Sequence, residues 1–162
     1  MHTTLNKIRA HAPCAEGWEK LLKHLGKTKA DDEPLSIKTI LKSNGVDDAI
    51  WCLRAVDGKD KEIRLFAVWC ARQVQHIKAD KRSLDALDVV ERFANGLASE
   101  EELRDAGVSQ WSTEWQALIA AYAAAYAARD AAGEDAGEAT WDAAYAATRK
   151  AQAKKLIEIC EE

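Results

Sequence analysis

Alanine dominates one long segment of this chain of 162 residues, because 18 of the 37 residues from Ala117 to Ala153 are alanine. Alanine has the highest helix propensity of the common residues, so this composition by itself predicts α-helix. The segment is interrupted at 133–137 by two glycines that enclose Glu134, Asp135 and Ala136, a combination typical of a turn. We therefore predict two long helices that pair as an antiparallel hairpin.

The preceding residues predict a bundle of shorter helices. Ser36, Asp47, Ser83 and Ser99 stand at candidate N-cap positions, and Ser99 with Glu102 has the spacing of a capping box. The most apolar helix, predicted from Lys61 to Ile77, should lie at the centre. The fold class is therefore all-α, a single-domain multi-helix bundle over 1–162, with an N-terminal bundle at 1–107 and an Ala-rich hairpin at 108–162. The hairpin is expected to dock by an aromatic edge that includes Ile119, Tyr122 and Tyr126.

Composition excludes several classes of protein. Hydrophobic residues make up 48% and charged residues 31% of the chain, with two prolines, which does not fit a disordered or collagen-like sequence. No apolar run reaches the ~20 residues of a membrane helix, and the first residues lack the apolar core of a secretory signal. The four cysteines are widely spaced and predict free thiols with no metal site. We expect a cytoplasmic protein, in a bacterial host cell, without a cofactor.

Charge is distributed unevenly along the chain. Residues 1–82 carry 16 Lys/Arg and 11 Asp/Glu, a net charge of +5. Residues 83–162 carry 7 Lys/Arg and 16 Asp/Glu, a net charge of −9. A negative surface repels nucleic-acid phosphate and attracts basic surfaces, so we expect a protein partner rich in Lys/Arg and no direct nucleic-acid binding. A solvated acidic surface that only aids solubility is the alternative. The predicted partner-binding residues are acids near the capping box and the hairpin turn: Glu100, Glu101, Glu102, Asp105, Glu134, Asp135 and Glu138.

Motifs that would indicate catalysis are missing from the sequence. There is no nucleophile elbow, phosphate-binding loop or dinucleotide-binding glycine motif, so we do not expect an enzyme. Arg72 and His76 are four residues apart on the predicted central helix and could bind an anion together. This pair defines the alternative of a small enzyme or an anion-binding or ligand-binding protein. Arg72 could instead pair with acids on a neighbouring helix, joining the basic and acidic halves.

Two stretches of the chain resemble a known family. Both lie in the run from Leu35 to Leu97. The first goes from Leu35 through Ser43-Asn44-Gly45 and Asp47-Asp48-Ala49 to Trp51-Cys52-Leu53-Arg54-Ala55, and the second from Arg64-Leu65-Phe66-Ala67 to His76. With the Ala-rich tail, they resemble the Imm-5-like immunity proteins of phages and bacteria. The resemblance implies a non-catalytic inhibitor that neutralises a toxin or a host defence complex, as an immunity or anti-defence protein, including the anti-CRISPR type. A helical scaffold that self-associates through the Ala-rich hairpin remains a further alternative.

Overall fold

The computed structural model describes residues 1–74, 81–108, 113–133 and 137–161, and these residues are mostly helical. The all-α prediction is confirmed. Two strands of two residues each, β1 (His2–Thr3) and β2 (Leu35–Ser36), pair antiparallel, and neither was predicted from the sequence pattern. The helices are α1 (Leu5–Ala10), α2 (Ala15–Leu25), α3 (Ile37–Asn44), α4 (Val46–Trp51), a 3₁₀ turn (Cys52–Ala55), α5 (Asp60–Arg72), α6 (Lys81–Ala94), α7 (Glu100–Asp105), α8 (Thr113–Ala131) and α9 (Glu138–Glu161).

Helix starts follow some of the predicted caps and depart from others. Ser36 caps α3 through its hydroxyl oxygen, and Ser99 forms the predicted capping box at α7. The predicted cap at Asp47 is wrong, because α4 begins after Gly45 without a side-chain cap and Asp47 already lies in its first turn. The predicted cap at Ser83 is also wrong, because α6 begins two residues earlier and Ser83 lies inside it.

Helix α5 lies at the centre of the bundle, as its wide apolar face predicts. Its side chains Ile63, Phe66 and Cys70 are fully buried, and the helix packs against α6, α8 and α9. The sequence predicted a helix as far as Ile77, whereas α5 ends at Arg72, and residues 75–80 lie outside the described ranges. Burial of large side chains on α5 therefore organises the other helices around it.

The Ala-rich segment forms the predicted hairpin of α8 and α9. The side-chain amide of Gln152 donates to the Ala121 carbonyl at 2.8 Å, and the rings of Tyr126 and Tyr145 lie 5.5 Å apart. Because residues later in α9 contact residues earlier in α8, the two helices run antiparallel. The sequence thus predicted both the two helices and their relative direction.

The surface by which α8 docks differs from the predicted aromatic edge. Ala117, Ala121, Ala124 and Ala125 are completely buried, while Ile119 and Tyr126 are 39% and 49% exposed. The physical reason is the partner helix: α5 already supplies large side chains, so small residues on α8 let the two backbones approach closely. The prediction of an aromatic docking edge is therefore wrong for Ile119 and Tyr126, whereas Tyr122 is half-buried beside Arg149.

The described helices have two further features that bear on function. None of them is both long and apolar enough to cross a membrane. The four cysteines are free, with Cys52 and Cys70 buried, Cys160 half-buried and Cys14 exposed. Burial raises the pKa of the Cys52 and Cys70 thiols to about 12, so both remain protonated and unreactive at neutral pH.

Candidate functional site

Arg72 is paired with acids on the next helix. Its Nη2 lies 2.7 Å from Oδ1 of Asp88 and 2.5 Å from Oε2 of Glu91, both on α6. The hydrogen bonds that Arg72 donates to Asp88 and then to Glu91 raise the pKa of its guanidinium above the ordinary value. The ion-pair alternative is thus confirmed for Arg72, and its positive charge is compensated within the fold. His76, its predicted partner in anion binding, lies outside the described residues.

Glu102 has a structural role at the start of α7. The Ser99 hydroxyl accepts from the Glu102 amide at 3.1 Å, and the Glu102 carboxylate accepts from the Ser99 amide at 2.7 Å. Arg92 of α6 donates to the same side chain at 2.9 Å. The Ser99 amide and then Arg92 hold the pKa of Glu102 below its ordinary value. This carboxylate therefore fixes the position of α7 against α6.

The other predicted acids differ in their surroundings. Glu100, Glu101 and Asp105 are exposed on α7, and within the described ranges no basic side chain pairs with them. Glu138 is also exposed and is the first residue of α9. Glu134 and Asp135 lie outside the described residues. The structure therefore places three of these acids on one helix of six residues, with Asp105 in a groove beside Lys81 and Arg82 of α6, and places Glu138 on another helix.

Leu97, which the sequence analysis did not single out, is the most exposed large hydrophobic residue described, at 69%. It follows Gly96, whose φ of 72° ends α6 in a left-handed turn. The Leu97 amide donates to the Arg92 carbonyl at 2.8 Å and the Gly96 amide to the Phe93 carbonyl at 3.0 Å. These two bonds are those of a Schellman motif, in which the residue at the Leu97 position usually packs on the residue at the Arg92 position.

Arg92 cannot provide that apolar contact, because its guanidinium turns to other partners. It donates to the Leu97 carbonyl at 3.1 Å and to Glu102 at 2.9 Å. The turn is therefore held by hydrogen bonds at both ends while the Leu97 side chain points to solvent. We call Leu97 together with Glu100, Glu101 and Asp105 the Leu97 edge.

A buried polar cluster joins the hairpin to α4. Arg149 of α9 is 7% exposed, pairs with Asp47 of α4 and donates to Oε1 of Gln152 at 2.6 Å. Its guanidinium carbon lies 4.9 Å from the ring centroid of Tyr122, at cation–π distance. Burial lowers the pKa of Arg149 to about 10, so the side chain remains charged at neutral pH.

The Arg149 cluster was missed at the sequence level for a clear reason. An arginine in an alanine-rich helix looks like a solvated residue, and Asp47 has the sequence context of a helix cap. Nothing in the local pattern connects two residues that are about a hundred positions apart. The signal that the sequence did hold is the spacing of Arg149 and Gln152, since residues three apart share a helix face.

Chemistry that depends on metals has no support in the described ranges. No group of three or more His, Cys, Asp or Glu side chains among these residues could hold a metal ion. No protein-family model, curated protein or solved structure matches this chain. The resemblance to Imm-5-like immunity proteins therefore rests on its sequence motifs, and function has to be argued from the surface itself.

Proposed function

We propose that this protein acts by binding another protein, and that the Leu97 edge is its docking surface. The observation that carries the proposal is the 69% exposure of Leu97 on a turn fixed at both ends by hydrogen bonds, next to carboxylates without a basic partner among the described residues. Protein interfaces commonly combine an apolar centre with a polar rim. A side chain held on a fixed turn loses little conformational entropy on binding.

The charge of the edge indicates the chemistry of the partner. Glu100 and Glu101 place two negative charges three and four residues after Leu97, and Asp105 adds a third at the other end of α7, on the half of the chain whose charges sum to −9. A partner with a basic surface and an apolar depression for Leu97 complements this arrangement. Electrostatic attraction of this kind mainly accelerates association and weakens as salt rises. Direct binding of nucleic acid would meet repulsion from the same charges.

The class of partner follows from the resemblance together with this surface. A toxin or a host defence complex that binds nucleic acid carries the basic surface that the Leu97 edge would complement. We accordingly propose a non-catalytic inhibitor of phage or mobile-element type, acting in the bacterial cytoplasm. The motifs that carry the resemblance lie mainly on α3, α4 and α5, away from α7 in sequence. The proposed class of function therefore comes from these motifs, and the proposed binding surface comes from the Leu97 edge.

The test uses matched charge reversals. The docking variant carries Glu100→Lys, Glu101→Lys and Asp105→Lys, and the control carries Glu16→Lys, Glu19→Lys and Asp60→Lys, which are exposed acids elsewhere on the chain. Both sets change the net charge by +6, so only the location differs. Each protein is immobilised, bound proteins are recovered from bacterial lysate, and the affinity of the recovered partner is measured with purified components.

We expect the docking variant to lose at least about tenfold in affinity and the control to retain it, with Leu97→Ala weakening the complex as well. Equal losses in the two charge-reversed proteins would show a general effect of net charge and would reject the Leu97 edge. Unchanged affinity in the docking variant would reject it directly. Binding of wild type should decrease as salt is raised, and this decrease should be smaller for the docking variant.

Self-association remains the second candidate because a shallow groove is lined mainly by alanines. Trp69 of α5 contributes to it together with Ala128 and Ala131 of α8 and Ala144 and Ala147 of α9. Tyr126 on α8 is also half-exposed. Sedimentation over a wide concentration range separates the candidates, because a scaffold becomes larger with concentration whereas the proposed inhibitor stays a monomer.

A further inference from the structure

A cavity of about 190 Å³ lies between α2, α3 and α4, on the side of the bundle formed by the N-terminal helices. Its walls are largely apolar and include the two indoles of Trp18 and Trp51, with Leu21 and Ile40. Asn44 and Asp48 are the polar side chains that line it, along with the thiols of Cys14 and Cys52. It is somewhat larger than an engineered cavity of 150 Å³ that binds benzene, so it can hold a ligand with a single ring.

The Asp48 carboxylate is held in place by a short network. The Asn44 side-chain amide donates to Oδ2 of Asp48 at 2.8 Å and to the Gly17 carbonyl at 2.7 Å. A Cβ atom at position 17 would lie 2.7 Å from the same Oδ2 and 3.2 Å from Sγ of Cys14. Glycine is a poor helix residue, yet the close approach of Asp48 requires it in the first turn of α2. The carboxylate is therefore preorganised at the cavity wall.

Asp48 differs from its neighbour Asp47 in that its charge is not paired with a basic side chain within the described ranges. Asp47 is neutralised by Arg149, whereas no basic side chain among the described residues forms an ion pair with Asp48. None of the residues that line the cavity is basic. Burial is the main cause of the raised pKa of Cys52; the negative charge of Asp48 adds to it and the positive charge of Arg54 opposes it, so the Asp48 charge acts at a thiol of the cavity wall.

Aromatic faces beside a carboxylate favour one class of ligand. Indole rings attract cations through their π-electrons. Trp51 already makes such a contact with the Arg54 guanidinium, 4.2 Å from its ring centroid, so Asp48 and Trp18 would provide most of the attraction for a bound cation. We propose that this cavity binds a small organic cation, a primary ammonium compound with an apolar body, with its ammonium group at Asp48 and its body between Trp18 and Trp51. An anion of the same shape would face an uncompensated carboxylate and no basic group in the lining.

The test compares three ligands of one shape and different charge. Benzylamine, which is protonated at neutral pH, benzyl alcohol and benzoate are titrated into the full chain, and binding is followed by calorimetry and by the indole N–H resonances. Trp18→Phe and Trp51→Phe identify the two resonances concerned. We expect benzylamine to perturb these two resonances and to bind at least about tenfold more tightly than benzyl alcohol, with no binding of benzoate.

Asp48→Asn removes the charge and keeps the shape of the side chain, so it should reduce the affinity for benzylamine to that for benzyl alcohol. The matched control Asp60→Asn, on an exposed residue of α5, should leave it unchanged. Gly17→Ala places a Cβ against the Asp48 carboxylate and displaces it, so it should weaken benzylamine more than benzyl alcohol. Equal affinity of wild type for benzylamine and benzyl alcohol, undiminished affinity in Asp48→Asn, or no binding of benzylamine at millimolar concentration would each overturn the proposal.

Discussion

The N-terminal bundle and the Ala-rich hairpin are both helical, but they are held together in different ways. The fully buried side chains of the bundle are large, and include Phe66, Leu53 and Ile50. The hairpin buries mainly alanines on α8, whereas α9 buries Leu156 and Ile159 together with the polar residues Arg149 and Gln152. Burying a leucine-sized side chain contributes about 2 kcal/mol, whereas an alanine methyl contributes about 0.8 kcal/mol.

This difference shows that helical propensity and tertiary stability have separate sources in one chain. The hairpin helices form because alanine favours helix, and they dock because small side chains allow close packing on α5. Their relative position is then fixed by directional contacts around Arg149 and by the burial of Leu156 and Ile159 near the end of α9. The bundle instead depends on the shape and volume of many large side chains. The two regions should therefore respond in opposite ways to changes in side-chain size.

The largest expected effect is the loss of volume in the bundle. Phe66→Ala removes a fully buried ring at the centre of α5 and should lower the free energy of unfolding by about 4 kcal/mol, because the surrounding helices cannot fill the cavity. Chemical denaturation measures the change. Leu97→Ala removes an exposed side chain and is the control, with an expected change of less than about 0.5 kcal/mol. Similar losses in the two variants would contradict a bundle stabilised by its core.

The next effect concerns the polar cluster of the hairpin. Asp47→Asn leaves the buried Arg149 charge uncompensated and should cost about 3 kcal/mol. Arg149→Met should cost less, because the Asp47 side chain that it leaves unpaired is 49% exposed overall, although the oxygen that faces Arg149 is buried. The double variant should recover most of the loss of Asp47→Asn. Denaturation of all three proteins tests this order, and a larger loss for Arg149→Met than for Asp47→Asn would contradict it.

The opposite change in size should damage the hairpin. Ala121 of α8 is completely buried in the core, and Ala121→Leu adds volume where the helices are already in close contact. We expect a loss of about 2 kcal/mol from overpacking. Ala123 is exposed on the same helix, so Ala123→Leu has the same change in propensity and should alter stability by less than about 0.5 kcal/mol. Equal stability of the two variants would mean that the alanine face is not closely packed.

The parts of the fold that sequence could predict are those set by local pattern. Capping at Ser36, the capping box at Ser99 and the interruption of the alanine run each depend on residues a few positions apart. The docking face of α8 and the pairing of Asp47 with Arg149 depend on which helices meet in space, so propensity did not reveal them. The same limit applies to the sites, since acids on α7 were found from composition, whereas the exposure of Leu97 and the cavity at Asp48 required tertiary contacts.

Helix α7 differs from both the bundle and the hairpin, because none of its residues is buried. Its order depends on the capping box, and Ser99→Ala should cost about 1 kcal/mol of local stability. Because folding lowers the pKa of Glu102, the deprotonated form stabilises the native state. This contribution is present above the unfolded pKa and is lost as pH falls through the folded value.

Amide exchange and NMR titration measure this last effect. We expect the Ser99 amide, which donates to Glu102, to lose protection as the Glu102 carboxylate is protonated, at a pH below its ordinary titration range. Glu102→Gln keeps a hydrogen-bond acceptor without the charge and should remove the pH dependence at Ser99. The buried amides of α5 should be unaffected over the same range, because the exchange at α7 reports local opening rather than unfolding of the bundle. Parallel loss of protection in α5 would show that α7 opens only when the whole protein unfolds.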